Sequence, residues 1–154
     1  MVPIKEAINN ESWLHCEYLD YKDLYKFRLK INSFRKLNLS EIDNPEKIDV
    51  LDKDYTLWIM HIEFINLYMK PISPHYGPVK INVVDQDGFH FNILEDYHLE
   101  NGSSFSKTSG MVRFHKADLI PKIKAIGSII FQLPNDDEAE YSIALKDDGT
   151  VQEV

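Results

Sequence analysis

Asp85-Gln86-Asp87-Gly88 has the clearest chemical potential in this chain, because alternate aspartates followed by glycine open many calcium loops. Counting Asp85 as the first ligand, a helix-loop-helix calcium site needs glycine at the sixth position, where His90 stands. Asp96 occupies the twelfth position, but Phe89, Phe91 and Ile93 between them read as a strand. A structural hairpin turn is therefore expected here, and no metal ligand is assigned. The histidines (His15, His61, His75, His90, His98 and His115) include no pair at H-x-x-x-H spacing, although His61 and Glu63 share a strand face. Metal sites can also assemble across strands, so spacing does not exclude one. Scattered or internally satisfied histidines are the expectation. His15 and Cys16 make a poor base and nucleophile pair, since sequence neighbours on a strand point to opposite faces. A buried, idle thiol is expected. Ser103, Ser104, Ser106 and Ser109 lack a G-x-S-x-G context. No catalytic residue and no cofactor follow, and the chain reads as a non-enzyme.

Recognition is better represented than catalysis. Lys22, Lys26, Arg28, Lys30, Arg35 and Lys36 interleave with Tyr25, Phe27 and Phe34, a composition that can bind single strands of nucleic acid. Alternation, however, puts the aromatics on the core side, opposite Lys26, Arg28 and Lys30, which leaves a solvated outer face. Tyr68, His75 and Tyr76 lie among Pro71, Pro74 and Pro78, where a rigid loop can present aromatic anchors. The alternative is a loop folded over the end of the domain with Tyr76 capping the core. Glu41, Asp43, Glu46 and Asp49 form an acidic loop. Tyr68, His75 and Tyr76 and these four acids are the candidate contact residues.

The 154 residues suit one domain, and 44% apolar content can fill its core without disulfides or metal. A net charge of −8 argues against nucleic acid as partner. With Cys16 the sole cysteine, no intrachain disulfide can form. The first ten residues have no apolar core of the signal-peptide kind, and no apolar run approaches the roughly 20 residues of a membrane span. As it stands the chain reads as cytoplasmic, without membrane insertion; one relieved of an export signal would look the same and act outside the cytoplasm.

Strands must position these side chains. Tyr25, Phe27, Leu29 and Ile31 alternate with Lys26, Arg28 and Lys30, the period-two signature of a half-buried strand. In 55–68, Trp58, Met60, Ile62 and Phe64 share the inner face, Leu57 and Ile59 partly cover the other, and His61 and Glu63 point outward. Residues 38–54 read as a long loop, and the prolines of 70–78 make that stretch a connection. Further strands are expected over 79–84, at Phe89 and Phe91, around 111–114, over 125–133 and over 140–145. Residues 1–20 read as an irregular arm, with at most a helical turn or a short strand near Trp13 to Tyr18, and the end from Asp147 reads as frayed. About seven short strands between turns predict an all-β, antiparallel sandwich over 21–146, with the arm at 1–20 and a tail at 147–154.

Phe64-Ile65-Asn66, Val83-Val84-Asp85-Gln86-Asp87-Gly88, Ile126-Gly127-Ser128-Ile129-Ile130-Phe131-Gln132-Leu133-Pro134 and Ala139-Glu140-Tyr141-Ser142-Ile143 together resemble one family. It is the telokin-like, immunoglobulin-like domain of bacterial proteins known as domain of unknown function 4352. There a strand ends on asparagine, a D-x-D-G hairpin follows, and a G-x-(hydrophobic)-(hydrophobic)-F-x-(hydrophobic)-P strand comes late. The family usually carries Pro-Gly before that late strand, whereas Pro121 here precedes Lys122. The resemblance implies an immunoglobulin-like sandwich and a bacterial, often envelope-associated setting, with no catalytic residues. The expectation is an uncharacterised protein-interaction module, acting on a protein partner or on itself through sheet edges. The alternative is a small-ligand or metal-binding sandwich with an aromatic cleft between the sheets or at their open end.

Overall fold

Period-two alternation builds two antiparallel sheets in the computed structural model, which describes residues 1–38, 54–72, 81–93, 113–114, 118–145 and 149–154. The elements run β1 (Val2–Pro3), α1 (Ile4–Asn9), β2 (Trp13–Asp20), β3 (Asp23–Lys36), β4 (Tyr55–Asn66), β5 (Ile81–Val84), β6 (His90–Asn92), β7 (Arg113–Phe114), β8 (Lys124–Pro134), β9 (Ser142–Leu145) and β10 (Thr150–Glu153). One sheet has the order β10-β2-β3-β4-β8-β7 and the other β1-β9-β5-β6. The architecture is the all-β sandwich that the strand pattern predicts, with more strands than the expected seven.

β4 organises the larger sheet. It pairs with β3 along one edge and β8 along the other, with Trp58 opposite both Lys36 and Phe131. Met60, Ile62 and Phe64 meet Phe27, Leu29 and Ile31 from β3, Ile129, Phe131 and Leu133 from β8, and Ile81, Val83 and Ile143 from the facing sheet. The Phe27 and Phe64 rings stack at 4.9 Å. Each such side chain contributes roughly 1.5–3 kcal/mol through burial. Leu57 and Ile59 face the other way and are 3% and 0% exposed, so β4 is buried on both faces at that end, whereas His61, Glu63 and Ile65 farther along the outer face are half-buried. Cys16, on β2, lies in the same core, where burial pushes its thiol pKa up and leaves it a poor nucleophile.

The two ends of the chain differ from expectation. Residues 1–20 hold no irregular arm: Val2 pairs with Ile143, α1 buries Ile4 and Ala7, and β2 is a full eight-residue strand against β3. The stretch from 149 is not frayed either, because β10 pairs with β2 and places Val151 opposite Cys16. Short apolar faces docked on a large sheet explain both cases. Ile4, Ala7 and Val151 are too few to make a periodic signal, but each is buried.

Buried Asn66 ends β4 and secures the chain's exit. Its Nδ2 donates to the carbonyls of Lys70 (3.0 Å) and Leu119 (2.8 Å), and its Oδ1 accepts the Tyr68 amide at 2.8 Å. Its own carbonyl accepts the Lys122 N–H at 2.8 Å. That last bond holds a type II turn, Ile120-Pro121-Lys122-Ile123, closed from Ile123 N to the Ile120 carbonyl at 3.2 Å. Lys122 sits at φ 64°, where glycine is the unstrained residue.

Two outcomes follow for urea unfolding. Asn66→Ala strands the Lys70 carbonyl and the Tyr68 N–H and lowers stability by about 2–3 kcal/mol; Asn66→Asp, with no donor for the two carbonyls, is no better. Lys122→Gly relieves the left-handed backbone and raises stability by about 0.5–1 kcal/mol, the gain being limited by glycine's freedom in the unfolded chain. A loss of stability in the glycine variant would contradict the turn geometry.

Candidate functional site

Phe34 lies on the core side as expected, but not through alternation, which counted strictly from Ile31 would turn it out with the lysines. Between Ile31 and Ser33 the β3–β4 register shifts, Asn32 becomes the extra residue of a bulge, and Phe34 is returned to the inner face opposite Met60. There it meets Trp58 at 4.9 Å (39° between planes) and Tyr141, just before β9, at 6.2 Å (85°). Trp58 and Tyr141 are 6.3 Å apart, and Phe91 and Phe131 each add an edge contact. All three central rings are half-buried, so they form a floor with one side toward solvent.

Two walls rise from that floor. One is α1 with Pro3, attached through the Ile4 N–H to the Tyr141 carbonyl at 3.0 Å. The other is the segment 135–140, which an Asp136 carboxylate bond to the Glu138 amide (3.0 Å) folds on itself. The Glu140 N–H donates to Gln86 Oε1 at 2.9 Å and the Asn135 N–H to the Asp54 carbonyl at 3.0 Å, while Thr56 Oγ1 bonds Asn135 Oδ1. The resulting cleft has a volume of about 840 Å³, and a recess of about 240 Å³ adjoins it past Trp58 and Tyr141.

The walls are acidic. Glu6, Asp137, Glu138 and Glu140 line the cleft against the single ammonium of Lys5. Asp137 is met by Lys36 Nζ at 3.3 Å, whereas Glu6, Glu138 and Glu140 make no ion pair among the described residues. The Tyr141 phenol is held above the usual tyrosine range first by burial and then by the carboxylates of Asp136 and Asp85. No histidine, cysteine or serine lines the cleft among the described residues.

Of the residues singled out from sequence, those that are described fall elsewhere. Tyr68 is half-buried and rests on Tyr25 at 4.6 Å, itself stacked on Tyr18 at 5.3 Å. That ladder starts β3, whereas Phe34 lies near its end, roughly 30 Å away at the rise of a strand. His75, Tyr76, Glu41, Asp43, Glu46 and Asp49 lie outside the described residues. Asp85 behaves as a turn residue, its Oδ1 accepting the amides of Asp87 (3.0 Å) and Phe89 (2.9 Å), with Gly88 at φ 88°. His15 bonds Glu17 at 2.8 Å and His90 meets Asn82 at 3.1 Å, while His75, His98 and His115 are outside the described residues. Among the described residues no group of three or more histidine, cysteine and acidic side chains is placed to hold a metal.

His61 Nδ1 and Ser128 Oγ, at 3.2 Å, are cross-strand partners on the outer sheet face and not part of the cleft. Lys26, Arg28 and Lys30 of β3 share that outer face, whereas Lys36, beyond the bulge, lies on the cleft side opposite Trp58. Lys26 approaches Glu17 (3.8 Å), and Lys124 pairs with Glu63 at 2.8 Å, lowering the Glu63 pKa mainly through that bond. What sequence reasoning missed is the joining of Phe34, Trp58 and Tyr141 with α1. The turn at Pro134-Asn135-Asp136-Asp137 was a visible signal of one wall, but nothing in its spacing ties it to Phe34.

No family model matches the chain, and no curated protein does. Among solved structures, a conserved hypothetical protein from Bacillus anthracis is similar at a TM-score of 0.50 and 10% identity, covering 92% of this chain and 96% of that one. The secreted protein MPT63 from Mycobacterium tuberculosis follows at 0.48 and 12% identity, covering 85% and 91%. A protein from Bacillus subtilis described as a candidate lipoprotein scores 0.47 at 10% identity, covering 83% of this chain but 36% of that one. At such identities the likeness is one of fold, and the immunoglobulin-like family remains a resemblance. Among the described residues no helix is long and apolar enough to cross a membrane.

The raised phenols of Tyr18, Tyr25 and Tyr141 set an alkaline limit. A folded pKa above the unfolded value means that the stabilisation is complete below the unfolded value of about 10 and is lost as pH rises through the folded one. Absorbance titration at 295 nm is expected to show late-titrating tyrosines, with stability falling above pH of about 10. Tyr141→Phe removes one of them, and Asp136→Asn brings Tyr141 back toward its ordinary range. An unchanged Tyr141 titration in Asp136→Asn would show that Asp136 does not contribute to holding the phenol up.

Proposed function

We propose that this chain is a non-catalytic binding domain of the bacterial immunoglobulin-like kind, in the envelope-facing setting that the family resemblance implies. Its partner is a protein segment held in the aromatic cleft. The observation that carries this reading is the floor of Phe34, Trp58 and Tyr141, three large rings half-open to solvent under a cleft of about 840 Å³. Aromatic residues are the commonest anchors of protein recognition, because they exchange much apolar area for little lost side-chain freedom.

A binding role rather than a catalytic one is supported by the lining, which offers rings and carboxylates without a histidine, cysteine or serine among the described residues. A small ligand is the second reading, favoured by a volume within the roughly 300–1,000 Å³ of small-molecule sites. The rings pack against one another at 4.9–6.3 Å and leave no slot between them, which fits a segment laid across the floor better than a molecule enclosed by it.

Ala139 is half-buried at the junction of cleft and recess, so Ala139→Trp fills the cleft without changing its charge. Peptides enriched on the wild-type protein from a random displayed library are expected to bind this variant at least ~10-fold more weakly, with the melting midpoint within about 3 °C of wild type. Peptides that bind both proteins equally would place recognition outside the cleft.

A further inference from the structure

We infer that the occupant of the cleft is an extended polypeptide segment carrying lysine or arginine, laid on the Trp58 floor between the carboxylates of Glu6, Glu138 and Glu140. The inference rests on the cleft being the binding site and adds the chemistry of its ligand. Four lining carboxylates face one ammonium, and three of the four have no cationic partner among the described residues. An incoming cation meets no competing ammonium at those three, and the chain's net charge of −8 draws such a partner from a distance.

The floor suits the same charge. A cation within about 6 Å of an indole or phenol face is attracted by the ring quadrupole, most strongly on tryptophan. Trp58 and Phe34 are in contact at 4.9 Å, with Tyr141 packed edge-on, so a cation can lie on these rings but cannot be enclosed between them. That geometry separates the flexible arm of lysine or arginine, whose methylenes can cover the rings, from a compact quaternary ammonium that needs a cage. The recess lined by Lys36, Thr56 and Pro134 continues the cleft past Trp58, giving room for the residues on either side. Lys36 is tied to Asp137 there, so it does not cancel Glu138 or Glu140.

The test uses Trp13→Phe, which leaves Trp58 as the only tryptophan, and four probes: (Lys-Ser)4, (Glu-Ser)4, (Thr-Ser)4 and tetramethylammonium. The lysine peptide is expected to change Trp58 fluorescence saturably, and raising NaCl from about 50 to about 300 mM should weaken it by ~3-fold or more. Glu138→Gln with Glu140→Gln should weaken it by ~5-fold at an unchanged melting midpoint. Equal binding of (Thr-Ser)4 or (Glu-Ser)4 overturns the cationic assignment while leaving a peptide-binding cleft. Tetramethylammonium binding as tightly as the lysine peptide overturns the polypeptide assignment in favour of a small cation. Silence of Trp58 toward every probe overturns the inference, and the cleft then stands only if displayed peptides are still lost on Ala139→Trp.

Discussion

The amide of Asn66 is the interaction on which the arrangement most depends. It lies at the end of the strand that pairs on both edges and is itself fully buried, where an unbonded polar group would cost most. Each polar atom of its side chain is matched to a backbone group, from Tyr68, Lys70 or Leu119, so the exit of β4 and the segment around Leu119 are joined at one point. Its backbone carbonyl then fixes the turn at Pro121 and Lys122, from which β8 starts in register against β4. The strain at Lys122 persists because that network over-determines the turn.

The consequence at the opposite end is the cleft. Once β4 and β8 are in register, Trp58 stands opposite Phe131, and the bulge at Asn32 delivers Phe34 beside it. β9 must pair with both β1 and β5, which brings Tyr141 over those rings and attaches α1 beside them. A site built this way is rigid in its floor and lightly built in its walls. The floor consists of interlocked rings on long strands, whereas the 135–140 wall rests on a handful of hydrogen bonds, several of them to side chains, at an exposed turn. Such walls can adjust to a partner without cost to the core.

Much of the fold was readable residue by residue. Tyr25 to Ile31 and Trp58 to Phe64 alternate cleanly because one face of each is buried, and Asp85 through Gly88 announces its turn by residue type alone. Other features were not readable, for local reasons. The β10 strand has a single buried apolar residue, Val151, so its pattern is indistinguishable from a polar tail. The α1 helix is six residues long, too short for helical periodicity to emerge beside Pro3 and Asn9-Asn10. The Asn32 bulge is a one-residue event, yet it inverts the facing of everything after it on β3. Trp58 was legible as an inner-face residue, but its half-exposed ring was not, since exposure depends on what lies across from it.

The amino-acid order by itself determined an all-β sandwich, the inward and outward faces of its main strands, its turns, and its net charge of −8. Those properties are local or additive: alternation, turn chemistry and charge do not depend on which strand lies beside which. Only the tertiary structure decided that the chain's two ends belong to the sandwich and that Phe34, Trp58, Tyr141 and the acids of α1 and 135–140 face one another. The physical reason is that these groups come from separate segments, and their meeting depends on strand register, one bulge and the Asn66 network, none of which leaves a pattern in the residues it brings together.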